Sequence, residues 1–496
     1  MVKGYKDIIS NYFKDHSFVN SNIKSFDDFL DNGLIKLIEE VGDIVPTIIP
    51  QEYENFKIKF GKISVGKPQI VEADGSIRDL YPIEARLRQL TYSAPIFLEV
   101  SAYIDGVQRE SFTSQICKIP IMLKSKHCHL HEINKEELVK HGEDANDPGG
   151  YFVLNGNERT LITVEDLASN KLFVKKTTIG PSEFTGKLFS ERFSYRIPHL
   201  IEQMKDGIIS MSFSRFNRIP VVAVIKALGL ISDKEIMESI SFDKKVADKI
   251  LVNLYQNVEL KTQEDALEYL AKHIGITHRE LRFERIQDQL DKYLLPHIGT
   301  TSKDRKNKAY NLCKLVKRFL MVVSGEIKSQ NQDHYSNKRL KLAGDLLFNL
   351  FRINIKSLVQ DILYNFQRLV KRGKFSSVRI IIREHLLTQR IKSAIATGSW
   401  PGGRKGISQN LSRTNAIDMI SHLQRVVSLL TSTQENFAAR ALHSTHWGRL
   451  CPVETPEGTP IGLRKNLALL SNISMEEIPE DKIKKYLEGI GLKQLD

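Results

Sequence analysis

The chain has 496 residues, of which 41% are hydrophobic and 26% charged, and carries a formal net charge of +13. That length suggests roughly two to four domains, the composition argues against a disordered chain, and no apolar run approaches the roughly 18 residues of a membrane helix. The start "MVKGYKDIISNYF" lacks a hydrophobic signal core and Cys117, Cys128, Cys313 and Cys451 are too scattered for a disulfide framework, so a cytoplasmic protein attracted to polyanions is expected.

Up to about residue 125 strands follow a short helical opening, and "APIFLEVSAYIDGVQRESF" forms two extended runs about the Asp105-Gly106 turn. Asp74-Gly75 marks a second turn of this kind. "KHCHLHE" gathers His127, Cys128, His129 and His131, but a structural zinc site needs a second ligand pair that is absent. An alternating strand, whose side chains point to opposite faces, is expected there. In "NDPGGYFVLNGNERTLIT", Pro148-Gly149-Gly150 and Asn155-Gly156 bracket an apolar strand from Tyr151 to Leu154.

"GPSEFTGKLF", Gly180 to Phe189, imitates a phosphate loop, yet its spacing is one residue too long and Leu188 stands where a hydroxyl is needed. A flexible hairpin is expected. From about residue 220 to 325 the periodicity becomes helical, with Gly229 and Gly275 at C-cap positions. The stretch Thr300 to Arg318 holds Lys303, Arg305, Lys306, Lys308, Lys314, Lys317 and Arg318, which fits either a phosphate contact or a solvated charged face. A long helix follows, with Leu347, Leu350, Phe351, Leu358, Ile362, Phe366 and Leu369 on its core face and Gly373 as its stop. A further amphipathic stretch, Val378 to Ala396, leads into a loop-rich segment from Thr397 to Leu469.

No carboxylate cluster is spaced to hold two magnesium ions, and no local pattern favours a Ser-His-Asp triad, so neither a catalytic residue nor a metal ligand is assigned. "ATGSWPGGRKGISQNLSRTNAIDMISHLQRV", Ala396 to Val426, is more informative. Gly398, Gly402, Gly403 and Gly406 allow close backbone approach, and Arg404, Lys405, Arg413 and Arg425 supply cations for phosphate. Gln409, Asn415 and His422 add polar groups able to reach a sugar or base edge. A surface loop with a solvated basic patch accounts equally well for this composition.

"SQNLSRTNAIDMISHLQRVVSLL" followed by "HSTHWGRLCPVETPEGTPIGL" resembles the fork region of the second-largest subunit of multisubunit RNA polymerases, the counterpart of bacterial β. "DLYPIEARLRQLTYSAPIFLEV", "IPIMLKSKHCHL", "PGGYFVLNGNERTLI" and "DHYSNKRLKLAGDLL" are similar to its archaeal and eukaryotic branch. The resemblance implies the N-terminal half of a form that some archaea split between two genes. It also implies an α+β, multidomain fold: a mixed sheet-plus-helix protrusion (1–170 and 344–385), an inserted mainly helical lobe (171–343), a loop-rich fork region (386–470) and the start of an external region (471–496).

The function so implied is that of a DNA-directed RNA polymerase subunit that forms part of the main channel and positions template and nascent RNA. No cofactor is expected on this chain; the complex would require Mg²⁺, held by the largest subunit, and Zn²⁺ on partner chains. Implied partners are the C-terminal half of the same subunit, the largest and remaining polymerase subunits, DNA template, nascent RNA and basal transcription factors, and no membrane.

Carried over residue by residue, Arg404 and Lys405 fall on the fork loop near downstream DNA. Gln409, Arg413, Asn415, His422 and Arg425 fall on the segment that in bacteria forms the rifampicin pocket beside the RNA. His446, Arg449, Glu454, Pro456, Glu457 and Gly458 belong to the supporting signature, where prolines restrict φ, Gly458 permits a turn and the glutamates are expected to hold neighbouring arginines. Gln424 departs from a paired arginine common in the family, and Thr459-Pro460 from a variable pair. Two other readings remain: a free-standing nucleic-acid-binding protein using the basic loop, and a scaffold without nucleic-acid contact.

Overall fold

The computed structural model describes residues 7, 11–12, 17–474 and 480–492, apart from 51, 178–179, 193–194, 242, 276–281, 376, 402 and 431–435. Two compact units divide the chain: Met1–Asp166 with Leu340–Asp496, and the inserted Leu167–Arg339. Mixed sheets and helices in both give an α+β, multidomain fold. Among the described residues no helix is long and apolar enough to cross a membrane.

The first unit opens with helices Asn20–Asp28 and Leu34–Val41 and a four-stranded antiparallel sheet ordered β1 (Asp43–Ile44), β2 (Phe56–Val65), β5 (Ser93–Ile104), β6 (Val107–Pro120). The hairpin β3 (Gln69–Val71) and β4 (Ile77–Asp79) falls between β2 and β5 in sequence. Alternation along β5 buries Ala94, Ile96, Leu98 and Val100, as a half-buried strand requires, and gives way to the consecutive buried residues Val100, Ser101 and Ala102. Asp105 and Gly106 both take positive φ, the geometry of a tight hairpin turn, and the Asp105 carboxylate accepts bonds from the Glu54 and Asn55 amides at 3.0 and 2.7 Å. Three short strands follow: β7 (Phe152–Leu154), β8 (Asn157–Leu161) and β9 (Thr163–Leu167).

The inserted unit begins as an antiparallel meander, β10 (Leu172–Lys176), β11 (Ser182–Arg192), β12 (Tyr195–Met204), β13 (Ile209–Phe213) and β14 (Phe216–Pro220), and continues, among the described residues, as six α-helices from Val221–Ala227 to Arg305–Val323. The expected flexible hairpin at Gly180 to Phe189 is corrected here. Most of it belongs to β11, an inner strand paired on both sides, because Leu188 enters the core and Gly186 lies against Phe319. Gly275 caps helix Gln263–Ile274 in the left-handed conformation. The basic stretch is also partly internal. Lys308 is fully buried, its ammonium donating to the Leu290 and Asp291 carbonyls at 3.0 and 2.7 Å, and burial pulls its pKa down to about 8. Arg305 closes on the Asp291 carboxylate.

Back in the first unit, β15 (Lys338–Lys341) leads from the insertion into the 29-residue helix Ala343–Lys371. Leu347, Leu350, Phe351, Leu358, Ile362 and Phe366 recur at helical spacing and are buried against the β2–β5–β6 sheet and the opening helices, with Leu369 packed at the edge of that core. Helix Glu384–Thr397 joins the same core, and so do Trp400, Ile407, Leu411, Met419 and Leu423. The loop-rich segment is thereby fastened to the core of the first unit rather than tethered loosely. β16 (Ser408–Asn410) pairs with β8, and β17 (Arg425–Ser428) lies parallel to β9 and antiparallel to β18 (Arg464–Asn466).

The expected strand at "KHCHLHE" is a second correction. Residues 125–131 form successive turns, with the amides of Ser125, Cys128 and His131 bonded three residues back at 3.2, 2.9 and 3.2 Å. Burial of Cys128 and Leu130, and the bond from Tyr92 Oη to the Cys128 sulfur at 3.4 Å, hold this geometry against the local alternation. Among the described residues no group of three or more His, Cys, Asp and Glu side chains is arranged to hold a metal ion.

Gly398 ends helix Glu384–Thr397 at φ +71°, and a Cβ there would meet the Ser408 carbonyl at 2.6 Å. Gly398→Ala should therefore destabilise the chain by about 1–3 kcal/mol, combining left-handed strain with the clash. Gly403, at φ +75° with nothing within 4 Å, isolates the strain alone; Gly403→Ala should cost about 1 kcal/mol. Equal denaturant midpoints for the two variants would contradict this account.

Candidate nucleic-acid interface

A tight loop follows Gly398. The Trp400 amide donates to the Arg404 carbonyl at 2.8 Å, and the buried Trp400 indole donates to the Leu346 carbonyl at 3.2 Å, anchoring the loop on the long helix. Arg404 is half-buried, 3.9 Å from Asp166. Lys405 is exposed and makes no side-chain bond among the described residues.

The next segment turns on His422. Its Nδ1 accepts from the Ser412 amide at 3.0 Å and its Nε2 faces Gln409 Oε1 at 3.1 Å, so the ring is neutral with its proton on Nε2. Burial first, and Arg425 second, push its pKa down to about 4. Gln409 also donates to the Gly406 carbonyl at 3.0 Å, holding the loop against β16. Asn415 caps helix Ala416–Leu423 by accepting the Asp418 amide at 2.8 Å, while Asp418 accepts from Ser412 Oγ.

Arg413 faces inward although its side chain is 38% exposed. Its guanidinium bonds both oxygens of Glu158, at 2.7 and 2.8 Å, the Tyr151 hydroxyl at 2.8 Å and Asp147 at 3.1 Å. Arg86 takes Glu158 from the other side at 2.8 Å, together with Glu143 and Tyr151. Tyr151 donates to Asp147 at 2.6 Å, and burial holds its hydroxyl well above the usual phenol range.

The signature Cys451 to Gly458 has no regular structure and lies over β18. Glu454 accepts from Ser421 Oγ and from Asn466 Nδ2, the latter at 2.9 Å. The expectation that the glutamates hold arginines is thus corrected: among the described residues neither Glu454 nor Glu457 forms an ion pair, because hydroxyl and amide donors take Glu454 and Glu457 is exposed. Pro456 is half-buried and Gly458 takes φ +79°. His446 is buried and its carbonyl accepts the amides of Arg449 and Leu450, at 3.0 and 2.9 Å, while the Arg449 side chain returns to the Thr445 carbonyl at 3.2 Å.

Arg425 and Arg464 remain on the surface of the β17–β18 ladder without an ion pair among the described residues. Burial and the neighbouring Arg464 depress the Arg425 pKa. Sequence reasoning missed Arg464, Ser421 and Asn466, which acquire meaning only when β17 and β18 pair.

This arrangement is a glycine-rich loop and a guanidinium-bearing ladder braced by neutral and ion-paired groups. The model of the RNA polymerase beta subunit matches residues 17–389 and that of RNA polymerase Rpb2, domain 3, matches residues 409–473. The chain belongs to the RNA polymerase beta-subunit family. It is 41% identical over 497 residues to the DNA-directed RNA polymerase subunit Rpo2N of Methanocaldococcus jannaschii, covering 98% of this chain and 99% of that one. It is 37% identical to Rpo2N of Halobacterium salinarum, covering 98% and 96%. To subunit Rpo2 of Saccharolobus solfataricus it is 41% identical over 98% of its own length, but it spans only 43% of that protein.

Two outcomes test the brace. Arg413→Ala leaves Glu158 and Asp147 short of a partner and should destabilise by about 2 kcal/mol, below the value for a fully buried pair because Arg413 is partly exposed; an unchanged denaturant midpoint would sink the strut. His422 is held near 4 against an ordinary 6.5, so the unfolded chain binds the extra proton between those values. Its stability contribution is complete above pH 6.5 and is lost as pH falls toward 4. His422→Gln should remove up to about 1.4 kcal/mol per pH unit of slope in that window, read from unfolding at successive pH values.

Proposed function

We propose that this chain serves as the N-terminal portion of the second-largest subunit of DNA-directed RNA polymerase, a nucleotidyltransferase assembly, and is inactive alone. It shapes part of the main channel and positions DNA template and nascent RNA, while the catalytic magnesium sits on the largest subunit. The observation that carries this reading is the likeness to Rpo2N subunits over 98% of the chain and 99% of one such relative. Residues 1–170 and 344–385 are assigned to the protrusion, 171–343 to the lobe, 386–470 to the fork and 471–496 to the beginning of the external region.

Within the fork, Arg404 and Lys405 meet a DNA phosphate backbone, and Gln409 and Arg425 face RNA. Arg413, Asn415 and His422 act from behind by fixing that surface, a role that their internal bonds favour over direct contact. His446, Arg449, Glu454, Pro456, Glu457 and Gly458 support it. Large apolar side chains are exposed within this stretch of chain: Ile417 is 80% exposed, Phe437 85% and Val453 84%. Apolar surface of that kind calls for a covering partner, here the C-terminal portion of the same subunit and the largest subunit. Basal transcription factors and zinc-bearing partner chains complete the expected assembly.

The tagged chain should retrieve the largest subunit and the C-terminal portion from its host, with magnesium-dependent RNA synthesis in the eluate. Recovery of the chain alone, still binding nucleic acid, would favour a free-standing binding protein instead. In the assembled enzyme, Arg404→Ala with Lys405→Ala should lower the salt slope of open-complex stability by roughly 1–2, since each lost phosphate contact removes nearly one released counterion. An unaltered slope would remove the loop from the DNA.

A further inference from the structure

We infer that Arg464 completes, with Arg425, a two-guanidinium cradle for one phosphodiester of the RNA strand. The identity of the strand rests on the function proposed above; the cradle itself rests on strand register. β17 and β18 pair with Arg425 opposite Asn466 and Val427 opposite Arg464. Directly opposed residues share a face of a sheet, as do residues two apart along a strand. Arg425, Val427, Arg464 and Asn466 therefore face one way, and Val426 and Lys465 the other. That assignment agrees with the burial of Val426 and with the ion pair between Lys465 and the buried Glu165, 3.1 Å, on the opposite face.

Arg425 and Arg464 are diagonal cross-strand neighbours, about 7–8 Å apart at the backbone, within reach of two long side chains converging on one anion. Their alignment is held by the signature segment: Thr455 Oγ1 donates to the Arg464 carbonyl at 2.9 Å and accepts the Gly462 amide at 2.9 Å. The carboxylates that face Arg425 are engaged elsewhere, Asp418 by Ser412 and Glu454 by Ser421 and Asn466. Asp418 and Glu454 therefore attract Arg425 only from a distance, no direct ion pair closes on either guanidinium among the described residues, and the net effect of burial and Arg464 is repulsive, so an entering phosphate relieves it. The planar donor fork of arginine suits that ligand, because two guanidiniums can each offer paired N–H groups to the phosphate oxygens. Gln424, next to Arg425, is buried and contributes no charge to the face.

The test uses the complete polymerase carrying Arg464→Gln, Arg464→Lys, Arg425→Gln or both glutamines, assembled on a DNA scaffold with a short RNA. RNA dissociation is followed over a salt series, with single neutral methylphosphonate linkages placed in turn along the RNA and along the template. Arg464→Gln should speed RNA loss about fivefold to tenfold, equivalent to one charge-assisted contact, and lower the salt slope by about 0.7. Arg464→Lys should keep the slope and lose part of the retention. One RNA linkage should matter in the wild type and cease to matter in either glutamine variant. If Arg425→Gln has these effects and both Arg464 variants behave as wild type, the cradle is overturned and the RNA-facing reading of the fork survives. If neither arginine affects RNA, that reading falls and the cradle with it. If the sensitive linkage lies in the template, the RNA assignment is overturned.

Discussion

The ion-paired cluster around Tyr151 is the constraint on which the rest of the candidate interface depends. Two guanidiniums, Arg86 and Arg413, share Glu158 and the Tyr151 hydroxyl, with Glu143 and Asp147 completing the group. Charges in such a site are stable only as a set: each satisfied partner lowers the desolvation burden of the others, and removing one exposes the remainder. Because Arg413 lies in the loop-rich segment and the carboxylates lie more than 250 residues earlier, the cluster converts a distant stretch of chain into part of one framework. Trp400 does the same work through packing, with its indole bonded to the long helix.

A framework held this way lets neighbouring groups remain unsatisfied. Gln409, His422 and Ser412 form a chain of neutral hydrogen bonds directly behind the ladder. Keeping His422 uncharged matters there, since a third cation beside Arg425 and Arg464 would raise the electrostatic cost of the face. The signature segment contributes less through its own atoms than through what they hold. Thr455 fixes the β18 backbone and Glu454 pins Asn466 and Ser421, so a run without regular structure sets the register of two strands.

Elements governed by local periodicity were legible in the sequence. The Asp105-Gly106 hairpin and the helix Ala343–Lys371 both combine a strong repeat with an unambiguous stop or turn. The "KHCHLHE" turns were not, since alternation there competes with the burial of Cys128 and Leu130, a tertiary effect. Strand β11 was obscured by Gly186 and its polar neighbours, which make sense only against Phe319 and two flanking strands. At the interface the motif identified the right segment but could not sort its cations. Arg413 and Arg425 read alike in sequence, and only the fold shows that one is directly ion-paired and that the other has no ion pair among the described residues.

That sorting carries the electrostatic argument beyond net charge. Of the chain's 72 lysines and arginines, those such as Arg86, Arg305 and Lys465 are neutralised by carboxylates and serve the fold. Bidentate geometry and burial make these pairs rigid, and a rigid pair offers little to an incoming phosphate because its own counter-ion would first have to be displaced. Lys405, Arg425 and Arg464 differ in forming no direct ion pair among the described residues, and the backbones of Arg425 and Arg464 are held in the β17–β18 ladder. Pre-positioned cations lose little freedom when an anion arrives, so affinity is gained without reorganisation. Under the proposed function, the contrast between closed pairs within the framework and open cations along its edge gives a chain of +13 charge a direction in which to bind.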